Sequence, residues 1–193
     1  MSPCYDDERV AARLDAGERL DGVEPSQFLS DAGLLEGDTV VDFGCGPGYL
    51  TLPAAEIVGP AGRVYAIDIE PKMVDLAGKR ATEAGLTDVT VVLTEGERTP
   101  LPDVIADFAI CALVLHYRED HTGRLALARD MARLMRPGGR AVVVEWTPKE
   151  SSDNRQRSAY ADVAEIFGAA GLECGAPEAI GEKQYMMIAT RKD

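Results

Sequence analysis

The sequence predicts an α/β fold: an open, mostly parallel, seven-stranded sheet with helices on both faces and a C-terminal antiparallel hairpin at one edge. Two observations carry this. Short runs rich in Val, Ile and Ala alternate with longer helical stretches over almost the whole chain, and that alternation builds parallel strands joined by crossover helices. The last two apolar runs have no room for a helix between Pro177 and Gln184, so they must return as a hairpin.

The elements follow in order. Residues 1–36 read as an N-terminal helical leader covering the cleft. A helical turn is expected near 9–14, and Glu24-Pro25-Ser26 reads as a helix start with Phe28 and Leu29 inward. Thr39 to Phe43 is a buried strand, followed by a helix over 49–57. Gly59-Pro60-Ala61-Gly62 breaks the chain before a second strand at 64–67, which Asp68 ends. Pro71 opens a helix that Gly85 stops. Strands are expected at 89–93 and 108–113, and a helix over 120–135. Arg136-Pro137-Gly138-Gly139 forms a turn before a fifth strand at 140–145. A helix over 157–170 and strands at 172–176 and 184–190 complete the chain.

Composition narrows the partners. The 193 residues suit one substantial core. The formal charge of −13 argues against long nucleic acid, which recruits basic faces. No apolar run reaches membrane-spanning length. The opening MSPCYDDERVAARL has no apolar segment of the signal-peptide kind, so a cytoplasmic location is expected. Cys4, Cys45, Cys111 and Cys174 are scattered without a CxxC or other zinc-like spacing, and no metal is expected. No oligomeric partner is indicated.

VVDFGCGPGYLTLPAAEIVG, from Val40 to Gly59, is the most informative stretch. Gly44, Gly46 and Gly48 lie between the first strand and the first helix, where backbone and ligand approach closely. A Walker loop would need Lys followed by Ser or Thr, and Pro47 and Tyr49 stand there instead. G-x-G-x-G also departs from the dinucleotide pattern. Asp42, just ahead of the loop, would repel a pyrophosphate but suits an ammonium group; a structural turn with Asp42 as its cap is the plainer alternative. Asp68 stands where a carboxylate accepts both hydroxyls of a ribose, and it can also cap the following helix.

Four segments in order, VVDFGCGPG, YAIDIEPKM, TEGERTPLPDVIADFAICALVLHY and MRPGGRAVVVEW, resemble class I S-adenosylmethionine-dependent methyltransferases, of the small uncapped type akin to the ubiquinone/menaquinone methyltransferase group. The likeness runs from Leu34 onward. It implies a Rossmann-like fold, makes residues 37–193 the methyltransferase domain, and names S-adenosyl-L-methionine as cofactor and S-adenosyl-L-homocysteine as product. By position, Asp42 and the amides of Gly44, Cys45, Gly46 and Gly48 would hold the methionine moiety. Asp68 would take the ribose, and Ile69 and Met73 the adenine. Glu95 and Gly96 match the pair that reads the adenine edge, with Glu95 departing from the usual Asp; a plain solvated loop is the alternative for Glu95 and Glu97. Ala112 and Leu113 would line the cleft, unless they are ordinary core.

His116 follows the fourth strand and is the candidate catalytic base, since its unperturbed pKa lies near operating pH; ordering a nearby carbonyl is the alternative. Tyr117 and Arg118 are placed to line an acceptor pocket. Glu145 can orient an acceptor or balance Arg118, and Trp146 can wall the pocket or pack on the leader. Tyr5, Phe28, Tyr185 and the polar run 151–155 are weaker candidates. The function expected is methyl transfer to a small-molecule acceptor. A protein or RNA acceptor would use the same cofactor pocket, a non-catalytic S-adenosylmethionine-binding module would need no base, and a dehydrogenase conflicts with Asp42.

Overall fold

The computed structural model of the protein describes residues 20–96, 98–118, 120–148 and 159–193. The expectations at residues 9–14, Cys4, Tyr5, Glu97 and 151–155 lie outside these.

Among the described residues, eight strands form one sheet in the order β3-β2-β1-β4-β5-β8-β6, with β7 added against β8. The chain runs α1 (Pro25–Asp31), β1 (Thr39–Phe43), α2 (Thr51–Val58), β2 (Arg63–Asp68), α3 (Pro71–Glu83), β3 (Val89–Leu93), β4 (Ala106–Ala112), α4 (His121–Leu134), β5 (Met135–Trp146), α5 (Tyr160–Ala169), β6 (Leu172–Cys174), β7 (Glu178–Ile180) and β8 (Gln184–Arg191). Strands β1 to β5 are mutually parallel, and β8 is antiparallel to β5, β6 and β7.

The seven strands read from the sequence are present. The short β7 is additional, because three residues of Glu-Ala-Ile carry too little pattern to be seen alone. The hairpin inserts β8 between β5 and β6, which leaves β6 at the edge. Arg136 to Gly139, expected as a free turn, fall inside the span of β5 as an irregularity. The register jumps there from Ala106↔Met135 to Phe108↔Arg140, and Gly138 takes φ 74°.

Local chemistry explains the boundaries. Pro71 occupies the first turn of α3, and Gly85 ends it at φ 72°. The Gly85 and Leu86 amides donate to the Thr82 and Ala81 carbonyls, which closes the helix with a left-handed cap. Asp120 caps α4 by accepting the Gly123 amide at 2.7 Å.

Burial on both faces makes the central strands continuous apolar runs. One core packs α4 and α5 against Val41, Phe43, Ala109, Cys111, Val143 and Met187. The other packs α1 and α2 against Val40, Val64, Phe108, Ile110, Val142 and Val144. Leu20, Phe28, Leu29, Ala32 and Leu34 belong to this second core, so the described part of the leader packs on the sheet through those side chains. The chain passes from β1 to β2 on one side and returns to β4 on the other. The carboxyl ends of β1 and β4 therefore form the switch point at which open sheets of this type bind ligands.

Candidate active site

The glycine loop sits at that switch point. Gly44, Gly46 and Gly48 have φ of 67°, 54° and 92°, values that side-chain-bearing residues rarely adopt. A Cβ on Gly44 would stand 2.6 Å from Cγ2 of Val114, so the loop passes directly against the segment after β4. Cys45 is buried, and its amide donates to the Ile67 carbonyl at 2.9 Å.

Two acids organise the loop. Asp42 is 3% exposed, and its Oδ2 accepts the Thr51 hydroxyl at 2.6 Å. Thr51 opens α2, so this bond locks the strand end to the helix start; the sequence reading missed Thr51. Asp68 accepts the Gly46 amide on Oδ2 and the Glu70 amide on Oδ1, both at 2.9 Å. One carboxylate thus joins the end of β2 to the glycine loop and to the entry of α3. Burial pushes its pKa above the ordinary 3.8, against the opposing pull of the Glu70, Gly46 and Ile69 amides. A carboxylate has about four lone-pair positions, so capacity remains beyond these amides for a further donor.

Beyond Asp68, Met73 is buried and Ile69 is 57% exposed. Glu95 is exposed, and the Gly96 amide meets the Thr94 hydroxyl at 3.2 Å. A Cβ on Gly96 would lie 3.1 Å from Nη1 of Arg118 and 3.3 Å from Cγ2 of Ile69. The Arg118 guanidinium therefore lies over Gly96, so the structure brings it to the residues expected to read an adenine. The loop bearing Gly96 is anchored farther on. Arg133 donates to the Thr99 and Leu101 carbonyls at 3.0 and 2.8 Å and binds Asp130 and Asp103. Asp130 also accepts the Thr99 amide and hydroxyl, at 2.9 and 2.6 Å.

Ala112 is half-buried and Leu113 is buried. Leu113 has φ 59°, an uncommon conformation for a bulky residue and one found at functional clefts. Its amide donates to the Val144 carbonyl at 2.8 Å. The chain then turns through Leu115–Tyr117.

His116 and Glu145 come together. Nδ1 of His116 lies 3.1 Å from Oε2 of Glu145, with the side chains 2% and 1% exposed. Glu145 also accepts the Leu115 amide at 2.7 Å and the Trp146 amide at 3.3 Å. The pair joins the end of β5 to the turn after β4. Tyr117 is 55% exposed, and its ring centroid is 4.2 Å from that of His116. Trp146 is half-buried and packs against the α1–α2 core, on the side of Leu20 and Ile180. The sheet separates Glu145 from Trp146, because consecutive strand residues face opposite ways.

Other proton carriers nearby are held out of range. Burial, with Glu145 and then Asp42 adding to it, pushes the Cys111 thiol far up. Burial, reinforced by Glu145 and Asp162, does the same to the Tyr185 phenol. Among the described residues no group of three or more His, Cys, Asp or Glu is placed to hold a metal ion, and no helix is long and apolar enough to cross a membrane.

Comparison with known proteins bears on the family and the fold. The sequence profile of a methyltransferase domain matches residues 40–139, the span from β1 into β5. The chain belongs to this methyltransferase-domain family. It is 36% identical over 97 residues to aklanonic acid methyltransferase DauC of Streptomyces sp. (strain C5), a match that covers 50% of this chain and 44% of that protein. It is 30% identical over 122 residues to the ubiquinone/menaquinone biosynthesis C-methyltransferase UbiE of Pseudomonas paraeruginosa (strain DSM 24068 / PA7), covering 63% and 46%. The chain thus spans about half the length of these relatives. A crystal structure of a SAM-dependent methyltransferase from Aquifex aeolicus superposes with TM-score 0.85 at 28% identity, covering 96% of this chain and 98% of that one.

Proposed function

We propose that the protein transfers the methyl group of S-adenosyl-L-methionine to a small-molecule acceptor. The observation that carries this is Asp68, whose carboxylate binds the glycine loop and keeps acceptor capacity at the switch point. The residues present suit the cofactor. Glycines line the loop where a Cβ would collide, Asp68 suits a ribose diol, and Asp42 supplies negative charge beneath the loop. Ile69 and Gly96 offer an apolar edge to a nucleobase, and Arg118 covers it.

When bound, the cofactor supplies a methyl group on a positively charged sulfur, already activated for displacement. The protein's task is to bind, orient and exclude water. Where the acceptor must lose a proton, His116 takes it. Nδ1 of His116 faces a carboxylate oxygen, which only accepts, so Nδ1 carries the hydrogen and Nε2 is the basic nitrogen. Glu145 fixes that tautomer and the ring orientation, as the carboxylate does in other acid–His pairs. Cys111 and Tyr185 do not compete for this role, since burial keeps both protonated.

The two relatives are named for methyl transfer to small molecules, aklanonic acid and ubiquinone/menaquinone precursors, which supports a small acceptor here. The test is calorimetric titration with S-adenosyl-L-homocysteine, followed by transfer from radiolabelled S-adenosyl-L-methionine into fractionated extract. Micromolar binding with label in the metabolite fraction is expected. No binding would end the proposal, and label confined to protein or RNA would reassign the acceptor.

A further inference from the structure

Arg118 follows the turn after β4, and its backbone is held on both sides. The amide donates to the Leu115 carbonyl at 3.0 Å, and the carbonyl accepts Nε of Arg124 at 3.2 Å. The stem of the side chain runs along Gly123, near the start of α4. A Cβ added to Gly123 would meet Cβ and Cδ of Arg118 at 3.7 and 3.8 Å, ordinary contact distances. The guanidinium makes no hydrogen bond or ion pair with the described residues, so among them the side chain is anchored at its base and not at its tip.

That tip occupies a defined place. A Cβ on Gly96 would stand 3.1 and 3.2 Å from the two Nη atoms and 3.3 Å from Cγ2 of Ile69. Both Nη atoms are nearer to that point than Cζ, so the guanidinium enters the space over Gly96 by its fork. A flat ring in contact on both faces needs about 7 Å between its neighbours, twice a van der Waals separation. The Arg118 fork and Ile69, at 3.1 and 3.3 Å from one shared point, stand closer together than that. The slot between them is closed to a nucleobase in this conformation. Ile69 nonetheless keeps 57% of its surface exposed, an apolar wall beside Asp68 and the glycine loop of the kind that lines ligand sites.

We propose that Arg118 is the gate of the nucleobase subsite: its guanidinium fills the slot between Gly96 and Ile69 in the free protein, withdraws as the adenine of the cofactor enters, and then lies across the outer face of the ring. This rests on the methyl-transfer reading above and adds to it a residue that governs the entry and exit of the cofactor. Withdrawal breaks no bond to the described residues, and the stem can stay on Gly123 while the outer torsions turn between staggered wells. The return is favourable, because a guanidinium is planar, weakly hydrated and attracted to an aromatic face. A side chain at position 96 would press on both Arg118 and Ile69, so glycine leaves the slot to the gate and the base in turn.

The test measures association and dissociation of S-adenosyl-L-homocysteine on the immobilised full chain by surface plasmon resonance, for the wild type, Arg118→Met and Arg118→Ala. Met keeps an unbranched stem along Gly123 and removes the fork, and Ala removes the whole side chain. Without the fork the open fraction rises, so association should quicken about threefold or more. The ring also loses its cover, so dissociation should quicken by about two- to thirtyfold, the range of a cation on an aromatic face. The melting temperature should stay within about 2 °C, whereas a merely structural role would lower it and slow association. A crystal structure with S-adenosyl-L-homocysteine bound should show the guanidinium off Gly96 and on the outer face of the adenine. Unchanged rates in both variants, faster dissociation alone, slower association, or an adenine bound away from Ile69 with the fork still over Gly96 would each overturn the gate while leaving the methyl-transfer reading in place. Failure of S-adenosyl-L-homocysteine to bind the wild type would remove that reading, and the gate with it.

Discussion

Replacing Asp68 with Asn should separate folding from cofactor binding. The carboxylate accepts the Gly46 and Glu70 amides, each at 2.9 Å. Asn keeps the shape and one oxygen but turns an NH2 group toward the other amide, so one backbone donor meets a donor. Against that loss stands a gain, since Asn carries no charge for burial to penalise, and burial is the leading influence on Asp68. The two nearly cancel, and free-protein stability should change by no more than about 1 kcal/mol. For a chain of this size that is ~2–4 °C in melting temperature. Cofactor binding has no such offset. Charge-assisted bonds contribute about 1.5–3 kcal/mol and neutral ones about 0.5–1.5. Losing the charge beneath two ribose hydroxyls should therefore cost about 1.5–3 kcal/mol, or ten- to a hundredfold in Kd. Calorimetric titration with S-adenosyl-L-homocysteine measures the affinity and scanning calorimetry the melting. An unchanged Kd in a variant that melts like the wild type would refute the ribose assignment. A large fall in melting temperature would show instead that Asp68 acts chiefly as a brace for the loop.

The same carboxylate makes binding depend on pH. Its folded-state pKa lies above 3.8, so S-adenosyl-L-homocysteine affinity should decline on acidification at a higher pH than for an ordinary aspartate, and Asp68→Asn should flatten the curve. In the free protein the linkage has the opposite sense: the stability contributed by the protonated group is full below the unfolded value and is lost as pH rises through the raised one, which stability curves of wild type and Asp68→Asn should show as a difference. His116→Ala should leave cofactor affinity intact and lower turnover by about a hundredfold for a protonated acceptor, with loss of the acidic limb of the pH–rate profile; equal losses for protonated and deprotonated acceptors would reduce His116 to a structural part. Gly44→Ala places a Cβ 2.6 Å from Val114 at φ 67° and should destabilise by about 1–3 kcal/mol, with partial recovery in Gly44→Ala/Val114→Ala measured by urea denaturation. Arg133→Leu leaves the buried Asp130 without its cation and should cost about 3–5 kcal/mol, seen as a matching fall in the urea midpoint.

Much of the site was legible because the chemistry is local. The order Asp42, glycine loop, Asp68 follows from one strand-turn-helix-strand unit, and the structure adds a bond that the sequence did not show, from the Gly46 amide to Asp68. The Schellman end at Gly85 and the proline start at Pro71 are equally local, since each depends on backbone preferences of one or two residues. Thr51 could have been found from its place at the start of the helix behind the loop. The burial of Gln184 could not. QYMMIAT reads as an ordinary edge strand with a polar first residue, and only the pairing on both sides shows that residue to be enclosed.

The sequence by itself determined the fold class, the strand and helix order and the glycine loop with its two acids. These rest on periodicity, turn chemistry and spacing within a few tens of residues. Tertiary structure alone decided which distant side chains meet. Glu145 joins His116 across 29 positions, and Arg118 reaches Gly96 over the switch point. It also set Trp146 and Glu145 on opposite faces of β5 and buried Gln184 between β5 and β7. The physical reason is that strand order and register, which no local pattern encodes, fix these contacts. They depend on β4 returning beside β1 and β8 entering between β5 and β6.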